Sequence, residues 1–166
     1  MITLARNFFG KKSEKKFGNG TFQFWVNGRI DQLDKNVVCG LFNYSGVDFH
    51  DEIDIEFARW GKERNQNLHY TVYPAANTNG KTLGSSTELK MDNSYSIHQY
   101  TRSKASVKFE SIYNYKGTKK FSKTFNSSTI SEKTMPMYIN LWLFKNVPPA
   151  NQKEVEIIIQ KFVFQN

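Results

Sequence analysis

Residues 51–60 read D-E-I-D-I-E-F-A-R-W, and the alternation of carboxylate and apolar residues within them constrains the fold more than any other stretch. A period of two belongs to a strand, so Glu52, Asp54 and Glu56 share one face while Ile53, Ile55 and Phe57 share the other. One face enters a core and the other is anionic. Three carboxylates in a row repel one another and strands disfavour Asp and Glu, so the pattern calls for something that offsets the repulsion. One candidate is a retaining glycosidase, which needs two carboxyl groups about 5 to 5.5 Å apart, one as nucleophile and one as acid and then base. The Glu52 and Glu56 Cα atoms are about 13 Å apart in a strand, a gap that two side chains leaning inward along a concave strand can close. Asp54 lies between them. Three carboxyls on one short face cannot all ionise cheaply, so at least one should hold a proton at neutral pH. Spacing does not say which. Two other readings of the same row are a solvated acidic face and a divalent-metal site with His50 as an added ligand, although hard cations usually draw oxygens from several segments.

At 166 residues the chain has the length of one domain, 1–166, with a single core. Aromatic residues make up 15% and, with Val, Ile and Thr, outweigh Ala and Leu, which favours strands. The formal charge of +8 is spread over scattered lysines rather than gathered on one helix, which argues for a basic soluble surface and against nucleic acid, with a polyanionic glycan as the other reading. Cys39 is the single cysteine and sits in an apolar run, so a buried structural thiol is expected. No stretch approaches the length of a membrane span, and the N-terminal residues carry no export signal, as a mature or trimmed chain also would not.

The remaining segments read mostly as strands. Residues 2–9 are expected to form a short strand, 11–16 a charged turn and 17–20 a glycine-containing loop. In 21–26, Phe22, Phe24 and Val26 take one side, and Gln23 and Trp25 the other. Residues 27–35 read as loop. The nearly continuous apolar run 37–44 suits a strand covered on both faces. In 67–73, Leu68, Tyr70 and Val72 alternate with His69 and Thr71. Residues 74–93 read as a long loop, the usual place for a binding loop. Strands are expected over 95–100, 106–113 and 119–124, with a hairpin turn at 114–117. Residues 126–136 are polar. In 137–144, Tyr138, Asn140, Trp142 and Phe144 share a face, and residues 154–164 close the chain as a strand. Trp142 beside Asn140 suits sugar binding, the ring stacking on a pyranose face and the amide reaching hydroxyls. Ordinary core is the other reading of Trp142. About ten strands without a helix point to an all-β sandwich or jelly roll.

With these landmarks the chain resembles glycoside hydrolase family 16, whose members share a concanavalin A-like β-jelly roll of two antiparallel sheets. The likeness rests on E-I-D-I-E at 52–56 followed by F-A-R-W-G, on F-G-N-G-T-F at 17–22, N-L-H-Y at 67–70 and N-L-W at 140–142, in family order over about residues 6–164. The resemblance implies Glu52 as nucleophile, Glu56 as acid and base, and Asp54 as the residue that tunes the pair. It places His50 in the cleft, where family members often have Trp, matches Asn140 and Trp142 to cleft residues, and matches Arg6 to an arginine near the nucleophile. His69 faces the cleft by parity, with a hydrogen-bonded structural role as its other reading. The five-residue acidic motif looks like the branch that includes lichenases.

The resemblance therefore implies a retaining, endo-acting hydrolase of a polysaccharide, foremost a β-1,3- or β-1,3-1,4-glucan. No cofactor, metal, nucleic acid or membrane is expected, and the protein is expected to be a monomer acting in an extracellular or periplasmic space. Three departures stand out. Family members usually carry several strands before the point where this chain begins, which implies a sandwich short by about four strands, with apolar faces or edges uncovered. The Trp-rich stretch of the later half is replaced by H-Q-Y-T-R at 98–102, and the carboxylate that often helps bind structural calcium has no match at 157–160. A non-catalytic carbohydrate-binding jelly roll and an incomplete fragment of such an enzyme are the alternatives.

Overall fold

The computed structural model describes residues 2–4, 8–113 and 118–166. Arg6 and the turn expected at 114–117 lie outside the described residues. Twelve strands are described: β1 (Ile2–Leu4), β2 (Phe8–Phe17), β3 (Gly20–Asn27), β4 (Val37–Tyr44), β5 (Glu52–Phe57), β6 (Leu68–Tyr73), β7 (Leu83–Thr87), β8 (Tyr95–Ser103), β9 (Ser106–Tyr113), β10 (Lys119–Asn126), β11 (Met135–Leu143) and β12 (Val155–Gln165). The only helical pieces among the described residues are short 3₁₀ turns at Ile30–Gln32 and Phe144–Asn146.

The strands form two antiparallel six-stranded sheets, ordered β1-β12-β3-β8-β9-β10 and β2-β11-β4-β5-β6-β7. Period-two patterning decides which face each sheet turns inward. Phe22, Phe24 and Val26 of β3 pack against Leu41, Ile53, Ile55, Phe57, Leu68, Tyr70 and Val72 of the opposite sheet, all at most 1% exposed. β4 is buried almost throughout, as its continuous apolar run predicts. Several polar side chains inside the sandwich are paired: Tyr70 and His98 both meet Ser111, His98 also meets Ser96, and Tyr100 donates to Asn43.

Two expectations are corrected. Residues 11–16 are not a turn but the middle of β2, the edge strand beside β11. Lysines on an edge strand keep other chains from pairing with it, so the charge there belongs to a strand and not to a loop. The alternation is also lost at a bulge, where the pairing shifts between Pro136 and Tyr138 and the Ser13 hydroxyl accepts the Met137 N–H at 2.8 Å. The second correction concerns residues 74–93, which contain β7, an edge strand rich in Gly and Ser that pairs with β6. Large apolar side chains more than a third exposed are, among the described residues, Val47, Phe49, Tyr95 and Val147.

Candidate active site

β5 lies between β4 and β6, and the register fixes the surroundings of each carboxyl. Glu52 stands opposite Tyr44 and Tyr73, Asp54 opposite Phe42 and Thr71, and Glu56 opposite Gly40 and His69. One strand further, β11 sets Tyr138 beside Phe42, Asn140 beside Gly40 and Trp142 beside Val38. Because Ile53, Ile55 and Phe57 fill the core, the three carboxyls share the outer face of this sheet. Asp54 is 4% exposed and its two neighbours are partly buried.

Aromatic rings flank the row at both ends. Near Asp54 and Glu52, Phe42 stacks on Tyr138 with ring centres 5.1 Å apart, and Tyr44 lies 6.1 Å from Tyr138. Beyond Glu56, the Trp60 ring lies 5.7 Å from His69, 6.3 Å from Trp142 and 5.6 Å from Phe144. Trp60 reaches this place because the chain leaves β5 through a left-handed pair, Trp60 at φ 51° and Gly61 at φ 77°. Anchors on both sides hold that turn: Arg59 pairs with Glu88 at 2.6 Å, and the Gly61 N–H donates to the Lys35 carbonyl at 2.8 Å. Past Thr71 the face continues into a depression of about 380 Å³ lined by His69, Thr71, Gly84 and Ser86.

Burial and mutual repulsion shape the protonation of the row. Burial pushes Glu52 up to about 7, a hydrogen bond with Asp54 pulls it back and the charge of Asp48 adds to the rise. Glu56 is pushed up to about 7, first by burial and then by the charge of Glu52. Asp54 is raised well above the usual carboxylate range by burial, by both glutamates and by its hydrogen bond to Glu52. Tyr73 is raised to about 12 by burial and by the same three carboxyls. The consistent arrangement is a protonated Asp54 donating to an ionised Glu52, with Glu56 able to hold or release a proton near neutrality. Among the described residues no group of three or more His, Cys, Asp and Glu side chains could hold a metal ion.

The structure thus brings Glu52, Asp54, Glu56, His69, Asn140 and Trp142 to one face. His69 spends its Nε2 on the Ala58 and Gln66 carbonyls, both at 2.9 Å, the structural role that sequence left open. His50 departs from the parity argument, because β5 begins at Glu52 and the preceding turn puts Phe49 and Asp51 at positive φ. Its Nδ1 lies 3.0 Å from the Asp48 carbonyl. Sequence reasoning gave no site role to Tyr73, Tyr138 or Trp60. Strand parity could have found the first two, whereas Trp60 sits beyond the strand, where parity has no meaning.

Three comparisons place the chain. Among curated protein sequences none matches. Solved structures share the fold: a Bacillus licheniformis beta-glucanase (TM-score 0.55, 23% identity, 81% of this chain and 57% of that one) and a prokaryotic beta-1,3-1,4-glucanase (lichenase) derived from a mouse hindgut metagenome (TM-score 0.60, 15% identity, 89% and 66%). A kappa-carrageenase from Pseudoalteromonas carrageenovora in complex with an oligotetrasaccharide of kappa-carrageenan is a third (TM-score 0.56, 14% identity, 81% and 54%). The chain thus spans less than two thirds of the length of each. The sheets match the jelly-roll sandwich that the motifs imply, and the family model covers residues 3–157, so the chain belongs to glycosyl hydrolases family 16.

Proposed function

We propose that this protein is a retaining, endo-acting glycoside hydrolase that cuts β-glycosidic bonds within a polysaccharide, foremost a β-1,3- or β-1,3-1,4-glucan. The observation that carries this reading is the row Glu52, Asp54 and Glu56 on one aromatic-lined face, with Asp54 buried between the two glutamates; burial and mutual repulsion there favour the protonated carboxyls. A merely solvated acidic face has no reason to bury Asp54 and would leave all three carboxyls ionised at neutral pH.

The chemistry follows from the charges. Ionised Glu52, steadied by the Asp54 proton, attacks the anomeric carbon while Glu56 gives its proton to the departing glycosidic oxygen. Glu52 is then an ester and no longer a negative charge. With that charge gone, one of the two influences holding the Glu56 pKa up disappears, so Glu56 becomes a base. It takes a proton from water, the oxygen of that water attacks the anomeric carbon, and the ester bond breaks to restore Glu52. Two inversions at one carbon leave its configuration unchanged.

Trp142 and Trp60 would stack against sugar rings, and Asn140 would meet hydroxyl groups. The glucan preference rests on the five-residue form of the acidic motif and on fold neighbours named as beta-glucanase and lichenase. A polymer of this kind is met outside the cytoplasm, in an extracellular or periplasmic space.

The test is reducing-end release from lichenan, laminarin, agarose and carrageenan, with the anomer of the first product read by proton NMR. Release with retained configuration, lost in folded Glu52→Gln, is expected. Binding without products on every glycan would instead make the protein a carbohydrate-binding jelly roll, and substantial turnover in Glu52→Gln would remove Glu52 as nucleophile.

A further inference from the structure

Gly40 is the one residue of β4 that stands in register with both Glu56 of β5 and Asn140 of β11. The other outer-face rungs are filled: Phe42 and Tyr138 beside Asp54, Tyr44 beside Glu52. Only next to Glu56 is the middle strand bare. Asn140 occupies that space, since a Cβ on Gly40 would come within 2.5 Å of Asn140 Oδ1 and 3.4 Å of its Cγ. The amide therefore lies across β4, on the side of its own strand that faces β5. Two strand spacings put the Asn140 and Glu56 Cα atoms about 9 to 10 Å apart, a span that a Glu and an Asn leaning towards each other can bridge.

Asn140 Oδ1 is buried and has no hydrogen-bond donor among the described residues. A buried carbonyl oxygen left in that state has lost its hydration without a replacement bond, so a donor is called for. Other groups around Glu56 do not supply one. On β5 the charged neighbours on this face are carboxyls, Asp54 and Glu52. On β6, His69 turns its Nε2 to two backbone carbonyls, and Tyr73, opposite Glu52, is a phenol that burial and the three carboxyls keep neutral. β4 offers Gly40 and then Phe42. On β11 the nearest titratable group is Tyr138, which on β2 faces Lys12, whose Nζ lies 5.6 Å from the Tyr138 ring. Arg59, in the turn after β5, is held by Glu88 and by backbone carbonyls.

We propose that Asn140 is a positioning residue for Glu56: its amide oxygen, lodged over the bare backbone of Gly40, accepts the carboxyl proton of Glu56 and holds that proton on the side facing the cleft. This assignment rests on the reading of Glu56 as the acid and base, and it goes beyond Asn140 as a contact for sugar hydroxyls. Gly40 belongs to the same device, because any side chain there displaces the amide.

Carboxyl-carbon NMR titration of the free protein tests it without substrate, with the Glu56 signal assigned by its loss in Glu56→Gln. A hydrogen bond to the neutral carboxyl favours the protonated form, so Asn140→Ala should lower the Glu56 midpoint, by about 0.7 of a pH unit for a bond worth about 1 kcal/mol. Gly40→Ala should lower it in the same direction, and it carries the test if Asn140→Ala does not fold, since its methyl group meets side-chain atoms only, the Asn140 amide and the edge of the Phe42 ring at 3.4 Å. An unmoved Glu56 midpoint in the folded variants overturns the proposal, and a rise in KM with that midpoint unmoved makes Asn140 a sugar contact alone. Because the titration needs no turnover, it gives its answer even if the chain proves inactive on every glycan.

Discussion

Asp51 and Lys133, 82 positions apart, form an ion pair at 2.5 Å that fastens the start of the acidic strand to the segment leading into β11. Asp51 is fully buried, and its other carboxylate oxygen accepts the Ser131 hydroxyl at 2.6 Å. Burial alone would raise its pKa, but the bonds from Lys133 and Ser131 outweigh burial and leave it lowered. A carboxyl with a depressed folded-state pKa contributes stability that is present above its unfolded value, near 3.9, and fades as pH falls through the folded value. Asn tolerates the left-handed backbone that Asp51 adopts at φ 49°. Asp51→Asn should therefore lose about 2 kcal/mol at pH 7, as expected for a charge-assisted bond. The gap from wild type should close below about pH 4 in urea melts; a gap independent of pH would refute the charge argument.

How legible this arrangement was depends on the kind of signal. The β5 row could be read because Ile53, Ile55 and Phe57 must be buried, and that alone turns Glu52, Asp54 and Glu56 outward. The alternations of Phe22 with Gln23 and of Leu68 with His69 are of the same type. β2 and β7 were not legible, since edge strands bury little and carry Lys, Gly and Ser that otherwise signal turns. The site was legible as far as strands carry it. His50 and Trp60 lie just beyond the two ends of β5, where positive φ values at Phe49, Asp51, Trp60 and Gly61 redirect the chain. The role of Gly40 depends on register across three strands, which no local pattern encodes.

Cys39 belongs to the core, in register with Leu141 and Phe57, rather than to any chemistry. It is 2% exposed, and burial pushes its thiol up to about 12. A thiol held neutral and covered is a poor nucleophile. The native protein should resist a thiol-reactive chromogenic reagent at pH 8 over hours, and one equivalent should react at once in denaturant. Prompt labelling of the native protein would mean that β4 opens far more readily than its packing allows.

The rings beyond Glu56 should act on binding more than on chemistry. Trp142 and Trp60 cluster with Phe144, and neither carries a group that moves protons. Trp142→Ala should raise KM on the preferred glycan about tenfold, in line with about 1.4 kcal/mol of lost ring contact, while changing kcat little. Trp142→Phe should recover part of that. A fall in kcat with KM unchanged would place the indole against the reacting sugar instead. Steady-state kinetics on one soluble glucan decide between the two.

The acidic row should make the fold less stable than it could be. Glu52 and Glu56, both raised to about 7, stay protonated in the folded chain over a range where the unfolded chain has already ionised. The unfolded form then binds fewer protons than the folded form, so this contribution to stability is intact below about pH 4 and declines as pH rises through 7. His98, buried with its pKa lowered to about 3, acts in the opposite sense, since its contribution is present above about 6.5 and fades as pH falls. It is common to wild type and variants and so cancels in their difference. Glu56→Gln and Glu52→Gln should thus melt higher than wild type at pH 8, by an amount on the order of 1 kcal/mol, with the advantage gone at pH 4. Variants less stable than wild type at pH 8 would mean that the carboxylates are held by favourable contacts rather than buried against their preference. In that case the raised protonation from which the catalytic assignment starts would fall with them.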